Sequence, residues 1–456
     1  MMNSRWSRWS RWTRRAASAL VLLAALAPGS SAQDAPRRIG LDEALEIALR
    51  QNSTLQQAEN AAETAEIAET QARMRFVPNV NASFGTSQQM GRNFSQEEGS
   101  IINTTTRSLN TSISSGVTLF DGFSNLANLH QTQHATAASE LEVVRARETV
   151  VFDVLTRFLA LVQAREQLAV QEQNLEAATA LETQVAAFVE ANRRPIADLY
   201  TQQAAVASAR VQQVQGRRAV MIAELNLVGT LRLDPMSDYE FVTPVATDAM
   251  PAASATMQQL MQQALAERSD LEAGEARLRA SEEGVRVARA ARWPSISLSA
   301  NYSTGASSSS DFGLIDQFDQ RRGGSMSLNF SIPIFDRLTT SANTQRARVQ
   351  LDNQQLSLDN LRQTVVLQVR QAYLDLESNT EQLAAAEAQL RAADLALDAA
   401  EQRYRVGAGT LTDVTQARAT QASAQAGMIN ARYSLLFQAR VLDYYTGALE
   451  AQPASN

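Results

Sequence analysis

The chain has 456 residues, a formal net charge of -7, no cysteine and no lysine, so all 41 basic residues are arginine. That length suits two or three ordinary domains. The missing cysteines exclude a disulfide framework, thiolate metal sites, a cysteine nucleophile and a lipidated N-terminal cysteine, and an acidic balance without a basic stripe speaks against nucleic acid as a partner.

Residues 1–32 read as a signal peptide. "RWSRWSRWTRR" supplies a positive n-region, "AASALVLLAALA" a short apolar h-region, and Ser30 and Ala32 are small residues before a cut ahead of Gln33. Its five arginines leave with it, which takes the net charge from -7 to -12. No later apolar run reaches the roughly eighteen residues of a membrane-spanning helix, so any entry into a membrane must use strands.

Residues 33–231 read as helix, strand, polar loop, strand, long helix, turn, helix. The first helix, 41–76, stops near Pro78, which breaks helices and pushes its predecessor toward extended geometry. A strand at about 79–86 sets Val80, Ala82 and Phe84 against Asn79, Asn81 and Ser83. The return strand, about 108–119, sets Leu109, Ile113, Val117 and Leu119 against Asn110, Ser112, Ser114 and Thr118. In the helix that follows, Val151, Leu155, Phe158 and Val162 step by four, three and four. Residues 232–257, with Pro235, Pro244 and Pro251, read as a Pro-rich connector.

Residues 258–446 repeat the unit. "ALRQNSTL" matches "ALAERSDL" at an offset of 216, and Pro78 falls on Pro294 at the same offset. "LFDG" matches "IFDR" with Asp121 on Asp336, and "PIADL" matches "TLTDV" with Asp198 on Asp413, both at 215. Matches in order at a near-constant offset mark an internal duplication. The strand at about 295–303 sets Ile296, Leu298, Ala300 and Tyr302 against Ser295, Ser297, Ser299 and Asn301. The strand at about 325–334 sets Met326, Leu328, Phe330, Ile332 and Ile334 against Ser325, Ser327, Asn329 and Ser331. In the long helix Val369, Leu376, Leu383, Leu390, Leu397 and Tyr404 recur every seven residues, with Ala372, Ala386, Ala393 and Ala400 as a second row, a coiled-coil seam. No proline interrupts 121–190 or 336–406; at about 1.5 Å per residue each helix approaches 100 Å. Residues 447–456 read as a flexible C-terminus.

Four strands of this length suit a tilted crossing of an outer-membrane hydrocarbon layer. A sheet in lipid must close, because an open edge leaves backbone groups unpaired, and four strands are too few when about eight is the practical minimum. The expected fold is therefore an α+β membrane protein: long antiparallel coiled-coil helices forming an α-barrel, plus a four-stranded contribution to a shared transmembrane β-barrel. Asn81, Ser112, Ser299 and Asn329, on the wet strand faces, are candidates for the lumen. Phe84, Tyr302 and Phe330 suit an interfacial aromatic girdle or ordinary strand packing. A periplasmic or surface coiled-coil adaptor without a pore stays open as an alternative; it explains the rods but not four alternating strands at matching points.

"LDEALEIALRQN", the two helix-ending prolines, "LFDG", "IFDR" and "RYRVGAGTLTDV" together resemble the TolC-like outer-membrane efflux channels over essentially the whole mature chain. The resemblance implies a homotrimer with a twelve-stranded barrel and a periplasmic tunnel in the outer membrane of a Gram-negative bacterium. It implies docking to a periplasmic adaptor and an inner-membrane pump or ABC exporter, with passive conduction and no enzymatic activity. By position, Asp198 and Asp413 match acids that ring the closed mouth, and Tyr404 matches an aromatic gate residue. Val406, Gly407 and Ala408 match the turn that meets the adaptor. The first-copy counterparts Ala191, Asn192 and Arg193 depart from that turn, Gln416 stands where some relatives have Asp, and Gly409 where some have Arg. Both acids also have a plain structural reading: Asp413 with Thr410 forms a capping box, and Asp198 follows Pro195 in a first helical turn.

His130 and His134, the only histidines, lie at i and i+4, a spacing that can place two imidazoles on one metal. Gln131 occupies the place of the metalloprotease glutamate and no third ligand is evident, so a polar helix face is the plainer reading. No metal and no cofactor are expected, and a metal-dependent hydrolase is the poorest of the readings.

Overall fold

The computed structural model describes residues 37–95, 99–242, 255–310 and 312–449. The signal-peptide reading of 1–32 lies outside the described residues, as does 450–456 of the expected flexible C-terminus; of its first three residues, Gly447 caps the last helix and Leu449 is buried.

The chain opens with β1 (Arg37–Ile39), α1 (Leu41–Gln51) and α2 (Ser53–Met74), followed by β2 (Asn79–Ser95) and β3 (Ser100–Phe120). The long helix α3 (Ser124–Glu190) descends and α4 (Ile196–Leu231) returns along it. After β4 (Tyr239–Phe241), the second copy supplies α5 (Met257–Glu267), α6 (Ser269–Ala290) and β5 (Ser295–Ser307). Then come α7 (Leu314–Gln320), β6 (Gly323–Ser331), α8 (Thr339–Arg405) and α9 (Leu411–Thr446). Elements before the strands recur 216 residues later (α1 to α5, α2 to α6) and those after them 215 later (α3 to α8, α4 to α9). The helices α3 and α8 have 67 residues each.

The duplication extends to the packing. In the first copy Ala44, Ala48, Leu55, Val150, Val154, Leu161 and Leu227 form one buried core. Their counterparts Leu260, Ala264, Leu271, Val365, Val369, Leu376 and Leu442 form the second. The parallel pair β1–β4 closes the first core, with Ile39 and Phe241 fully buried. It also gives the connector a structured segment. A salt-bridged cluster locks the two copies together at this level. Arg268, which is buried, binds Asp270 through Nη2 at 2.6 Å and reaches Gln368, while Arg145 holds Glu148 at 2.9 Å and stacks over Tyr444. Burial pushes the Asp270 carboxyl up, but the hydrogen bond and charge of Arg268, with Arg145 beside it, outweigh this and leave it below its ordinary value.

The single helix expected over 41–76 is two. Asn52 leaves helical geometry (ψ 124°) and its side chain accepts from the N–H groups of Thr54 and Leu55, so it caps α2. Each strand meets its long helix at an elbow of two consecutive left-handed residues, Gly122–Phe123 and Arg337–Leu338. Directly before each pair, Asp121 accepts from Asn125 N–H at 2.9 Å and Asp336 from Thr340 N–H at 2.8 Å. That is the physical content of "LFDG" and "IFDR": a carboxylate that reaches across a left-handed turn to the N-terminus of the helix after it.

The four long strands form one antiparallel sheet in the order β2-β3-β5-β6, with β2 and β6 as unpaired edges. The helices above and below echo that order: α2 packs on α3, α3 on α6 and α6 on α8. Three strand bounds differ upward from expectation. The first hairpin climbs to Ser95 and Ser100 instead of stopping near 86 and 108, and β5 reaches Ser307 instead of 303. Ladder hydrogen bonds need backbone, not apolar side chains, so polar residues continue the pairing; Arg107 Nε donates to Gln88 Oε1 at 3.0 Å across it. The fourth strand runs over Gly323–Ser331 instead of 325–334, because β5 offers no partner beyond Ser295 and Pro333 lacks a donor. Within the expected second loop lies α7, pinned by Gln317, which donates to Phe312 O and accepts from Ser307 N–H, each at 2.7 Å.

A Cβ on Gly122 would stand 2.6 Å from both the Ala290 carbonyl oxygen and Trp293 Cβ, at a φ of 67°. Gly122→Ala should therefore cost about 1–3 kcal/mol, while Arg337→Gly, at a φ of 54° and exposed, should be neutral or mildly stabilising. The thermal unfolding midpoint of the purified protein in detergent, followed by circular dichroism, checks the pair.

Candidate functional site

Two regions carry the candidate residues, the sheet and the helical tip. In the sheet, cross-strand register places Asn81 opposite Ser114, Ser112 opposite Ser83 and Ser303, Ser299 opposite Gly116 and Ser327, and Asn329 opposite Ser297. Because paired residues share a face, all four candidates lie on one side, among Ser, Asn, Gly and Thr. Ser83 and Ser112 hydroxyls meet at 2.7 Å on it. The opposite side carries Val80, Phe84, Ile113, Leu298, Tyr302, Met326, Leu328 and Phe330, and most of these are exposed in the single chain, Phe84 at 79%.

At the other end, two equivalent turns reverse the long helices. Asn192 (φ 54°) and Gly407 (φ 79°) occupy the same left-handed position. Arg193 N–H bonds to Phe188 O and Asn192 N–H to Val189 O; Ala408 N–H bonds to Arg403 O and Gly407 N–H to Tyr404 O. Both are Schellman ends, for which Asn is the usual substitute for Gly. The departure of Ala191, Asn192 and Arg193 from the second-copy turn is thus one of side chains, not of backbone path. Val406, Gly407 and Ala408 are exposed, as are Asn192 and Arg193.

The gate candidates have unlike surroundings. Tyr404 is 5% exposed and packs with Leu181, Val185, Ala400, Leu411 and Val414, and its hydroxyl has no hydrogen-bond partner. Arg194 stacks over its ring at 4.4 Å and donates to its backbone oxygen at 3.3 Å, tying the first-copy turn to the second-copy helix. Burial pushes the Tyr404 phenol above its ordinary value; the Arg194 guanidinium opposes this and the nearby Asp198 carboxylate adds to it. Asp198 is half-buried in the first turn of α4, and its N–H bonds to Pro195 O. Asp413 is exposed and caps its own helix: it accepts from Thr410 N–H at 3.0 Å while Thr410 Oγ1 accepts from Asp413 N–H. The Thr410 bonds, backbone first, hold its carboxyl below the ordinary range, and Arg403 helps. The structure thus brings Asp198 and Tyr404 together and gives Asp413 different partners.

Arg194 was not visible as a site residue in the sequence, since its partner lies 210 positions away. Arg418 was missed for the same reason. Its Nη2 donates to Glu401 at 2.6 Å, while Nε and Nη1, with Gln202 Oε1 and Gln171 Oε1, have no protein partner. These groups border a cavity of about 450 Å³ between α3, α4 and α9, wide enough to admit water to them. Of the heptad seam, Val369, Leu376, Leu383 and Tyr404 are buried, but Leu390 and Leu397 are only half-covered. His130 is exposed and His134 half-exposed on α3, and among the described residues no group of three His, Cys, Asp or Glu side chains is placed to hold a metal.

A sheet with one apolar face, continued by two helices, α3 and α8, on the order of 100 Å long, is the fold of an outer-membrane channel of the tunnel type. Residues 44–231 and 260–448, one stretch per repeat, match the outer membrane efflux protein family, and the chain belongs to that family. It is 25% identical to the pyoverdine export outer membrane protein OpmQ of Pseudomonas aeruginosa over 410 residues, 87% of this chain and 82% of that protein. It is 30% identical to the outer membrane efflux protein BepC of Brucella suis over 181 residues, 40% of this chain but only 38% of that protein. Its fold superposes on the Campylobacter jejuni CmeC outer membrane channel with a TM-score of 0.77 at 18% identity, covering 91% of this chain and 87% of that one. The protein is an efflux channel of the Gram-negative outer membrane, and the pore-less adaptor reading is set aside.

The Asp413 shift fixes the sign of an acid effect. A carboxyl held below its unfolded value stabilises fully above an Asp pKa of about 3.9 and loses that contribution as pH falls through the folded value. Acidification below that point should fray the first turn of α9 ahead of the rest, and Asp413→Asn should remove the pH dependence. Thr410→Ala should weaken the same turn at neutral pH by about 1 kcal/mol. Hydrogen-exchange protection of residues 411–415 reads both.

Proposed function

We propose that three copies of the chain share one twelve-stranded barrel and one helical tunnel, and that this homotrimer passively conducts exported solutes across the outer membrane. The observation that carries the reading is the open four-stranded sheet with one exposed apolar face. Neither edge tolerates lipid unpaired, and three copies bring the strand count above the practical minimum for closure. Asn81, Ser112, Ser299 and Asn329 then line the lumen, and the apolar face meets outer-membrane lipid.

In this reading the chain catalyses nothing; an inner-membrane pump or ABC exporter supplies the energy. A periplasmic adaptor docks on the turns at Val406, Gly407 and Ala408 and at Asn192 and Arg193. Asp198, Asp413 and Tyr404 form the gate. With threefold symmetry the two acids contribute six carboxylates near one axis, a field that draws cations and repels anions. Cargo follows from the pump: nothing on the polar strand face selects one solute, and pyoverdine, which OpmQ exports by name, is one possibility among siderophores, drugs and secreted proteins.

Two measurements test this. The purified protein should run as a trimer by native mass and conduct ions in planar bilayers. Asp198→Ala with Asp413→Ala should raise conductance or weaken cation block, and unchanged single-channel records would remove the gate assignment while leaving the channel. Arg194→Ala, which releases the contact between the first-copy turn and Tyr404, should raise the open probability without changing the conductance of the fully open state.

A further inference from the structure

Above the tip, the cavity of about 450 Å³ between α3, α4 and α9 serves neither the gate candidates nor the turns. On α9 its wall runs from Thr415 to Ala426, which makes it a slot about 16 Å long at 1.5 Å per residue. Six alanines from the three helices line it: Ala178, Ala205, Ala209, Ala419, Ala422 and Ala426. Side chains that short leave the space between the helices unfilled. At the end nearest the tip stand two longer polar residues, Gln202 six positions into α4 and Arg418 seven positions into α9.

Neither is fully bonded. Gln202 is 1% exposed. Its Nε2 donates to Ala178 O at 2.7 Å, which fixes the amide and leaves Oε1 without a protein partner. Arg418 Nη2 donates to Glu401 at 2.6 Å, while Nε and Nη1 have no protein partner. Buried polar groups are paired almost without exception in folded proteins, so donors and an acceptor orphaned at one end of one slot call for an occupant. Among the described residues that line the slot, Arg418 alone is charged. Glu401 borders instead a separate cavity of about 290 Å³, which Arg418 also lines together with Tyr404.

We propose that the slot binds a small organic acid with an O–H or N–H donor beside its carboxylate and an apolar body, the class of the α-hydroxy and α-amino acids. The carboxylate accepts from the free N–H groups of Arg418, the neighbouring donor bonds to Gln202 Oε1, and the body lies along the alanines. A bare anion satisfies Arg418 and leaves Gln202 Oε1 facing charge of its own sign; a metal cation is repelled by Arg418. Water pairs with the polar end but gains nothing from the alanine rows, whereas burial of an apolar body there is favourable. The slot lies within one chain, so it stands apart from the shared barrel and the gate. Its occupant touches the first copy through α3 and α4 and the second through α9, and ties the two together beside the cavity that holds Tyr404.

Equilibrium dialysis of the full protein in detergent against radiolabelled L-leucine tests this, with α-hydroxyisocaproate and isocaproate as competitors. The two share the leucine skeleton, but isocaproate lacks the donor. Leucine should bind saturably at a single site per chain, and α-hydroxyisocaproate should displace it at lower concentration than isocaproate does. Arg418→Gln should weaken leucine binding about tenfold or more, the scale of a lost charge-assisted hydrogen bond. Gln202→Leu should remove the preference for α-hydroxyisocaproate over isocaproate, a change that a merely structural role would not produce. Ala422→Leu, at a half-exposed position, should fill the slot and block binding with the helical circular dichroism unchanged, which keeps the test decisive if Arg418→Gln does not fold. Absence of saturable leucine binding means a slot that holds water only and overturns the proposal. Binding that persists unchanged in both Arg418→Gln and Ala422→Leu places it elsewhere and overturns it equally. Either failure leaves trimer mass and ion conductance, the measures of the channel itself, untouched.

Discussion

Backbone amides cannot go unpaired in hydrocarbon, where each lost hydrogen bond costs several kcal/mol or so. Most of this architecture follows from that constraint acting on a chain too short in strands. Four strands with two bare edges form a stable object only as part of something closed, and the edge strands here carry the same wet and greasy alternation as the inner ones. The helices inherit the problem. Each strand runs directly into a helix or out of one, so the order of strands imposes the order of helices, and α2 and α8 are left at the margins just as β2 and β6 are.

The duplication is therefore more than ancestry. It supplies matching lengths, so that α3 and α8 reach the same depth and both turns lie at one end. The two copies diverge where the constraint is weakest, at the far end of the hairpins: β2 and β3 continue as polar strands, whereas β5 and β6 are separated by the short helix α7. They also diverge at the waist. Arg145, Glu148, Arg268 and Asp270 hold the copies together within the chain, while the corresponding residues Asn360, Gln363, Asn52 and Thr54 are uncharged. A buried ion cluster is a poor source of net stability, yet removing one partner leaves an uncompensated buried charge, so this joint is sensitive to the loss of any one of the four.

How much of this was legible depended on whether the signal was local. Period-two alternation and the seven-residue seam are written in neighbours, so strand faces and rods could be read from Val80, Ala82 and Phe84 or from Val369, Leu376 and Leu383. Strand ends could not, because the expectation followed apolar side chains and the ladder does not: Gln88 and Arg107 pair as well as Phe84 and Thr111 do. Pro333 and the missing partner beyond Ser295 shortened the last strand for reasons that lie outside the strand. The Asp413 cap was visible because its partner Thr410 is three residues away. The Arg194–Tyr404 contact was not, because long-range pairing leaves no mark on either neighbourhood.

The distribution of stability along the rod bears on where it opens. At the waist, two equivalent cores and an ion cluster fix the helices against one another. At the tip, a small apolar cluster around Tyr404 draws residues from both copies, and added to it are one arginine stacked on a buried ring, worth about 0.5–2 kcal/mol, and one hydrogen bond of 3.3 Å. Burying the Tyr404 hydroxyl without a partner costs on the order of 1–3 kcal/mol, comparable to what that contact returns. The cavity beside Arg418, Gln171 and Gln202 removes further packing just above. In the gate proposed for Tyr404, the contact to be released joins the two coils of a single chain, since Arg194 and Tyr404 belong to the same polypeptide. On that proposal, opening is a movement between the two copies within one chain, and the β3–β5 ladder at the far end of α3 need not break to allow it.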